Sequence, residues 1–274
     1  MDSELLKQIQ KLELIILQEI DRICVKHNIT YCLAYGSLIG AVRHQGFIPW
    51  DDDIDLFMSY EEYEHFLKVC PDELDDKFVL HCQKTDSNYP LAMTKIRLKD
   101  TLFLEKDVQI PVLSNGIWVD IFVLENAPKK ISRLQDIHFE LVNCINTIKG
   151  IRLGWNSLNG CSIFTKLLYC FFRPFNINQI YKVFHYIKSI NRNTKCDYFV
   201  EFSGCYGPKR QTFKKIDLFP PRRSLFAGIE TYVPNNPHNI LTQVYGDGYM
   251  TLPPVEKRKT HNPIKVDLGA YDKC

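Results

Sequence analysis

Tyr35-Gly36-Ser37 followed by Trp50-Asp51-Asp52-Asp53-Ile54-Asp55 concentrates the chemically useful residues of this 274-residue chain. Asp53 and Asp55 are separated by one residue, so on an extended strand both side chains leave from the same face. Carboxylates held that close repel and raise one another's pKa unless a cation sits between them. Oxygen-only ligands suit Mg²⁺ or Mn²⁺ rather than zinc. Asp51 stands two residues from Asp53 and is a second-tier ligand, whereas Asp52 points away, as a helper or surface residue. Acidic runs are usually solvated loops, but Ile54, Leu56, Phe57 and Met58 carry this one into an apolar strand. The pattern predicts a metal-dependent enzyme of phosphate chemistry.

Asp120 is a third candidate. Residues 116–124 are almost wholly apolar and read as a buried strand, where a lone Asp is costly unless paired or metal-bound. Beside the Asp53–Asp55 strand it completes a three-carboxylate cradle; backbone amides or a basic side chain are the other way to satisfy it. Gly36 and Ser37 open a helix whose orphan N–H groups favour anions, and Ser37 adds a hydroxyl donor. Lys95, Arg97 and Lys99 share one face of a strand over 93–98, suited either to a diphosphate or to solvent.

The run from Gly36 through Arg43 and Gly46-Phe47-Ile48-Pro49 to Trp50-Asp51-Asp52-Asp53-Ile54-Asp55 resembles the signature of the LicD family. Those phosphocholine transferases belong to the nucleotidyltransferase superfamily and are related to fukutin-type transferases. The resemblance extends to Lys95-Ile96-Arg97, to Val119-Asp120-Ile121-Phe122, and to a block from Tyr245-Gly246-Asp247-Gly248 through Pro253-Pro254 to Arg258 and His261. It implies transfer of phosphocholine, or a similar phospho-alcohol, from a CDP-linked donor to a sugar hydroxyl of a cell-surface glycan such as lipopolysaccharide or teichoic acid. On that reading Asp53, Asp55 and Asp120 are catalytic and hold Mg²⁺ or Mn²⁺ with Asp51, and Asp120 also accepts the acceptor's proton. Gly36, Ser37, Arg43, Lys95, Arg97 and Arg258 contact the donor phosphates, and the tail bearing His261 folds back towards the donor. Nothing distinguishes choline from ribitol, glycerol or ethanolamine. A choline headgroup calls for aromatic faces, and Trp118 and Trp50 lie within reach without being assigned.

Two rival readings use the same residues: nucleotidyl transfer, moving NMP onto a substrate, and a non-catalytic nucleotide-binding module. The intact aspartates argue against the second. A calcium loop fails on spacing, because Asp55 leads into Leu56-Phe57 instead of a glycine turn.

A formal charge of +2 carries no basic excess, which argues against a nucleic-acid partner. Ten scattered cysteines without a Cys-x-x-Cys pair fit a reducing compartment. The polar start Met1-Asp2-Ser3-Glu4 is unlike a secretory signal and no apolar run reaches spanning length, so a cytoplasmic protein is expected.

The elements that must position these residues are an α+β set: a nucleotidyltransferase-like mixed sheet with flanking helices. Apolar residues from Leu5 to Ile23 recur at spacings of three and four, predicting a helix over 3–27 begun by Ser3. Tyr31–Tyr35, Phe78–Cys82 and Met93–Leu98 read as strands, and 60–69 as a helix. The catalytic region is placed at 1–130. A mainly helical region, 131–274, carries strands near 199–202 and 225–233 and the tail that completes the site. Its most apolar stretch, 163–173, is read first as a core helix; flanked by Lys166 and Arg173, it has a second reading as peripheral contact with the inner membrane face, where a lipid-linked acceptor would be met.

Overall fold

Why the chain folds as it does is clearest at its first helix, α1 (Ser3–Lys26), whose stripe of Ile9, Leu12, Ile16, Ile20 and Ile23 is buried. Burying each such side chain is worth about 1.5–3 kcal/mol, which drives α1 onto the sheet. Asp2, not Ser3, caps it, accepting the Glu4 N–H, and the chain reverses after His27 through Asn28 in the left-handed region. This computed structural model describes residues 2–105, 114–128, 132–258 and 260–272. The boundary expected at 130–131 lies outside them.

Then come β1 (Cys32–Leu33), α2 (Tyr35–His44), β2 (Asp55–Ser59), α3 (Tyr60–Glu73), β3 (Phe78–His81), β4 (Thr94–Leu98), β5 (Leu102–Leu104) and β6 (Trp118–Ala127). Helices α4 (Arg133–Arg152), α5 (Ile163–Phe172) and α6 (Ile177–Lys188) follow. The chain finishes through β7 (Tyr198–Glu201), β8 (Thr212–Lys214), α7 (Lys215–Leu218), β9 (Arg222–Phe226), β10 (Ile229–Val233), α8 (Pro237–Tyr245) and β11 (Lys265–Asp267).

The expected first strand shrinks to two residues because Tyr35 already begins α2. Helix α3 runs four residues past its expected end, with Ser59 capping it and Phe66, Leu67 and Cys70 buried beneath. Seven strands make one mixed sheet along β1-β2-β6-β4-β3, with β7 on β6 and β8 on β7. The architecture is α+β, as expected. Strand β6 is its axis: parallel to β2 and antiparallel to both β4 and β7.

One apolar cluster joins α1, α2 and α3 to the sheet. A second joins α4, α6 and Phe172 to Ala127, Val200 and Phe202. Helical character after residue 131 is thus confined to 133–188, apart from the short α7 and α8, because β7 and β8 return to the main sheet. The core-helix reading of 163–173 is overturned. Only Thr165 and Phe172 of α5 are buried, while Ile163, Phe164, Leu167 and Phe171 are exposed. No helix among the described residues is long and apolar enough to cross a membrane.

Candidate active site

Parallel pairing of β2 with β6 sets Asp55 directly opposite Asp120, and antiparallel pairing of β6 with β4 sets Asp120 opposite Lys95. Asp53 lies in the extended segment just before β2, not on the strand itself. Oxygens of Asp53, Asp55 and Asp120 nevertheless approach within 4.8 Å of one another. They line a cleft of about 650 Å³ together with Gly36, Asp51 and Lys95. Asp51 lines the cleft without joining that cluster, and its backbone oxygen accepts from Gln10 of α1.

Three of the carboxylates titrate high. Burial, then the charges of Asp53 and Asp120, raises Asp55 well above the ordinary range. Burial is also the leading cause for Asp51 and Asp53, each reinforced by neighbouring aspartates. Asp120 is held by hydrogen bonds: Lys95 Nζ donates to both its oxygens at 2.7 and 2.8 Å and Trp118 Nε1 donates at 2.9 Å. The cluster is therefore an under-neutralised, oxygen-only donor set open to a cleft, which fits a hard divalent cation.

Several expected contacts lie elsewhere. Ser37 is buried and its hydroxyl accepts the Asp55 N–H at 2.8 Å, so it pins the start of β2 and does not face the cleft. A Cβ at Gly36 would stand 2.6 Å from the Asp51 carboxylate and would push that side chain aside. Arg43 donates to the carbonyl of Tyr249 at 2.8 Å, fastening α2 to the 247–250 turn. Arg97 is buried between His81 and the Gly116 carbonyl. Arg258 stacks 4.4 Å over Trp50, and its neighbour Lys257 lines the cleft instead. Neither Arg43, Arg97 nor Arg258 is part of the cleft wall. Lys99 is exposed.

Asp52 is not a surface residue. It is 1% exposed and accepts from the His261 N–H at 3.1 Å, with His261 Nδ1 at 2.8 Å. This contact brings the tail back to the acidic loop, so His261 lines the cleft and its Nε2 lies 3.8 Å from Asp53. Burial alone would depress the imidazole pKa, but the Asp52 bond and the Asp53 charge outweigh it and raise it to about 9.

Two acids escaped the sequence reading. Glu13 of α1 is buried, its Oε2 lacks a partner among the described residues, and burial plus the acidic loop drive its pKa well up. Its place inside the apolar stripe was the available signal. Glu201 on β7 accepts Tyr35 Oη at 2.8 Å, the Gly204 N–H at 2.7 Å and Gln211 Nε2 at 2.6 Å. It thereby fixes the loop from Ser203 to Tyr206, which forms one cleft wall. It is the acid that ends the apolar strand β7, whereas Asp120 lies inside β6.

The fold and cleft define an α+β protein in which the paired strands β2 and β6 bring three carboxylates together. A model of the LicD/FKTN/FKRP nucleotidyltransferase domain matches residues 28–86, which hold α2, the acidic loop and β2. The chain is 31% identical over 265 residues to the lipopolysaccharide cholinephosphotransferase LicD of Haemophilus influenzae, covering 94% of this chain and 96% of that protein. It is also 41% identical over 56 residues to an uncharacterized protein of Rickettsia typhi, covering 20% of this chain and 18% of that protein. The chain belongs to the LicD family.

Proposed function

We propose that this protein transfers phosphocholine from CDP-choline to a sugar hydroxyl of a cell-surface glycan. The observation that carries the reading is end-to-end similarity to a lipopolysaccharide cholinephosphotransferase. The carboxylate cluster supports it independently.

Asp53 and Asp55, with Asp120 beside them, would hold Mg²⁺ or Mn²⁺. Such an ion supplies charge neutralisation on the transferring phosphate and acidifies a bound hydroxyl. Lys95 adds a cation at the cleft wall, between Asp120 and the donor phosphates. Asp120, oriented by Lys95 and Trp118, takes the proton of the acceptor hydroxyl. The acceptor oxygen bonds to the distal phosphorus, the anhydride bond breaks and CMP leaves. The protein's part is positioning and electrostatics, as expected for phosphoryl transfer.

Choline is favoured over ribitol or glycerol by the aromatic wall. Trp118 is already covered by Lys95 at 4.1 Å and Trp50 by Arg258 at 4.4 Å. Tyr35 is buried against Phe57 and Phe122, which leaves the half-buried Tyr206 and Tyr245, ring centroids 5.4 Å apart, to receive a quaternary ammonium. The exposed apolar face of α5, flanked by Lys166 and Arg173, suits peripheral attachment at a membrane bearing a lipid-linked acceptor.

The test is incubation with CDP-choline, Mg²⁺ and a glycan fraction, assayed for CMP, beside Asp53→Ala and Asp120→Ala. CMP release that needs acceptor, metal and both aspartates is expected. Pyrophosphate release from a nucleoside triphosphate instead would assign the cleft to nucleotidyl transfer.

A further inference from the structure

A second cavity, of about 300 Å³, lies on the opposite face of β6 from the cleft. Val123 and Glu125 line it, whereas Trp118, Asp120 and Phe122 line the cleft, and only Leu91 and Met93 belong to both walls. Its other side is built by α4 and α6, the region in which the sequence shows no recognisable motif.

The cavity holds an excess of buried positive charge. Lys149 is 1% exposed and makes no hydrogen bond or ion pair among the described residues. Its ammonium rests against the rings of Phe184 and Tyr181, 4.1 and 5.1 Å from their centroids. Lys188, also buried, stands 4.0 Å from Glu125, but Arg192 already grips that carboxylate with two hydrogen bonds of 2.9 and 2.5 Å. At the rim Lys84 pairs with Glu64 at 3.2 Å. Lys188 and Arg192 thus share Glu125, while Lys149 has no carboxylate partner among the described residues.

Burying an unpaired ammonium costs several kcal/mol, so a group of this kind persists where it has a counter-ion for part of its working life. Burial and the neighbouring Lys188 push the Lys149 pKa down to about 7, the direction expected of a cation lacking its partner. Nothing in the reaction described above uses Lys149 or Lys188.

We propose that this cavity is an oxyanion-binding site, with Lys149 and Lys188 as the donors to a phosphate or carboxylate group. An acidic sugar of the acceptor glycan is one source of such a group and free phosphate is the other. Only the acceptor source rests on the transferase reading. Because the 91–93 segment walls both spaces, an acceptor anchored here reaches the cleft past Leu91 and Met93.

The site is tested by thermal unfolding of the metal-free chain against inorganic phosphate, glucuronate and neutral glucose at constant ionic strength. A saturable rise in Tm is expected with phosphate or glucuronate and none with glucose. Lys149→Met should weaken that binding roughly tenfold or more, Lys149→Arg should retain it, and Asp53→Ala should leave it intact. Glucuronate alone acting would identify the acceptor's sugar acid, and phosphate alone a free or esterified phosphate. Absence of any saturable rise, or an equal rise in Lys149→Met, overturns the proposal. Lys149→Met relieves a buried charge, so its anion-free Tm should not fall, which separates lost binding from lost folding. None of these readouts requires turnover, so they stand apart from the fate of the transferase assay.

Discussion

Asp55 and Asp120 face each other across the β2–β6 pair, yet among the described residues only Asp120 has a protein cation against its carboxylate. One half of the pair is ion-paired with Lys95, and the other half has no ion pair among the described residues. A divalent ion placed here completes a charge balance that the protein leaves half made.

Asp55→Asn removes the less compensated half. The metal-free variant should melt a few degrees higher, since relief of repulsion worth about 1 kcal/mol moves a chain of this size by roughly 2–4 °C. The Tm increment produced by Mg²⁺ should disappear, and transfer should fall by about a hundredfold or more. A variant that kept its Mg²⁺ increment would remove Asp55 from the ligand set.

The raised carboxylates also set a pH dependence. In the folded, metal-free state Asp51, Asp53 and Asp55 bind protons more tightly than in the unfolded chain, whose aspartates titrate near the ordinary value of 3.8. The stability they contribute is complete below that value and is lost as pH rises through their folded pKa values. A metal must displace those protons, so the difference in Tm with and without Mg²⁺ should grow from about pH 5 to about pH 8. Calorimetry in buffers of different ionisation enthalpy should register proton release on binding. A pH-independent increment would contradict the cluster's role.

Lys95→Met tests the neutralised half. It strands Asp120 as a buried, unpaired carboxylate, and removing one partner of such a pair costs about 3–5 kcal/mol. Denaturant unfolding should read that loss, and Lys95→Met combined with Asp120→Asn should recover most of it. Failure of the double variant to recover would mean that Lys95 stabilises the fold through Trp118 alone.

Glu201→Gln addresses the cleft wall. The amide replaces one acceptor oxygen by a donor that faces other donors, namely Tyr35 Oη and the Gly204 N–H. The 203–206 loop should loosen, raising KM for the donor roughly tenfold while the acceptor's KM holds. Steady-state kinetics with each substrate varied separately decides between this and a purely structural role, which would lower stability without splitting the two constants.

How much of this was legible in the chain follows from the range of each interaction. Asp55 and Asp120 betray themselves locally, since an acid inside an apolar strand needs an explanation wherever the strand goes, and Asp53 is read from its spacing to Asp55. Glu201 carries the same signal at the end of Phe199-Val200, unread because no motif surrounds it. The roles of Arg43, Arg97 and Arg258 were not readable, because what an arginine touches depends on chain folded tens to hundreds of residues away. Arg43 meets Tyr249 across 206 residues. Ser37 was misjudged for a related reason: its hydroxyl oxygen accepts the Asp55 N–H and the side chain is buried away from the cleft wall, a placement fixed only when β2 docks beside α2. The α5 stretch was misjudged because hydrophobicity reports a need for cover and not what supplies it.

Ala127, the last residue of β6, is paired with Tyr198, the first of β7. The three helices between them therefore leave the sheet and re-enter it at points one strand spacing apart, about 4.8 Å. An excursion whose ends meet imposes no length or shape on the scaffold that carries it. What ties it to the sheet is packing on Ala127, Val200 and Phe202 and the grip of Arg192 on Glu125, not the pairing of β2, β6 and β4. The register that sets Asp120 against Asp55 and Lys95 is therefore made wholly outside the stretch from 128 to 197.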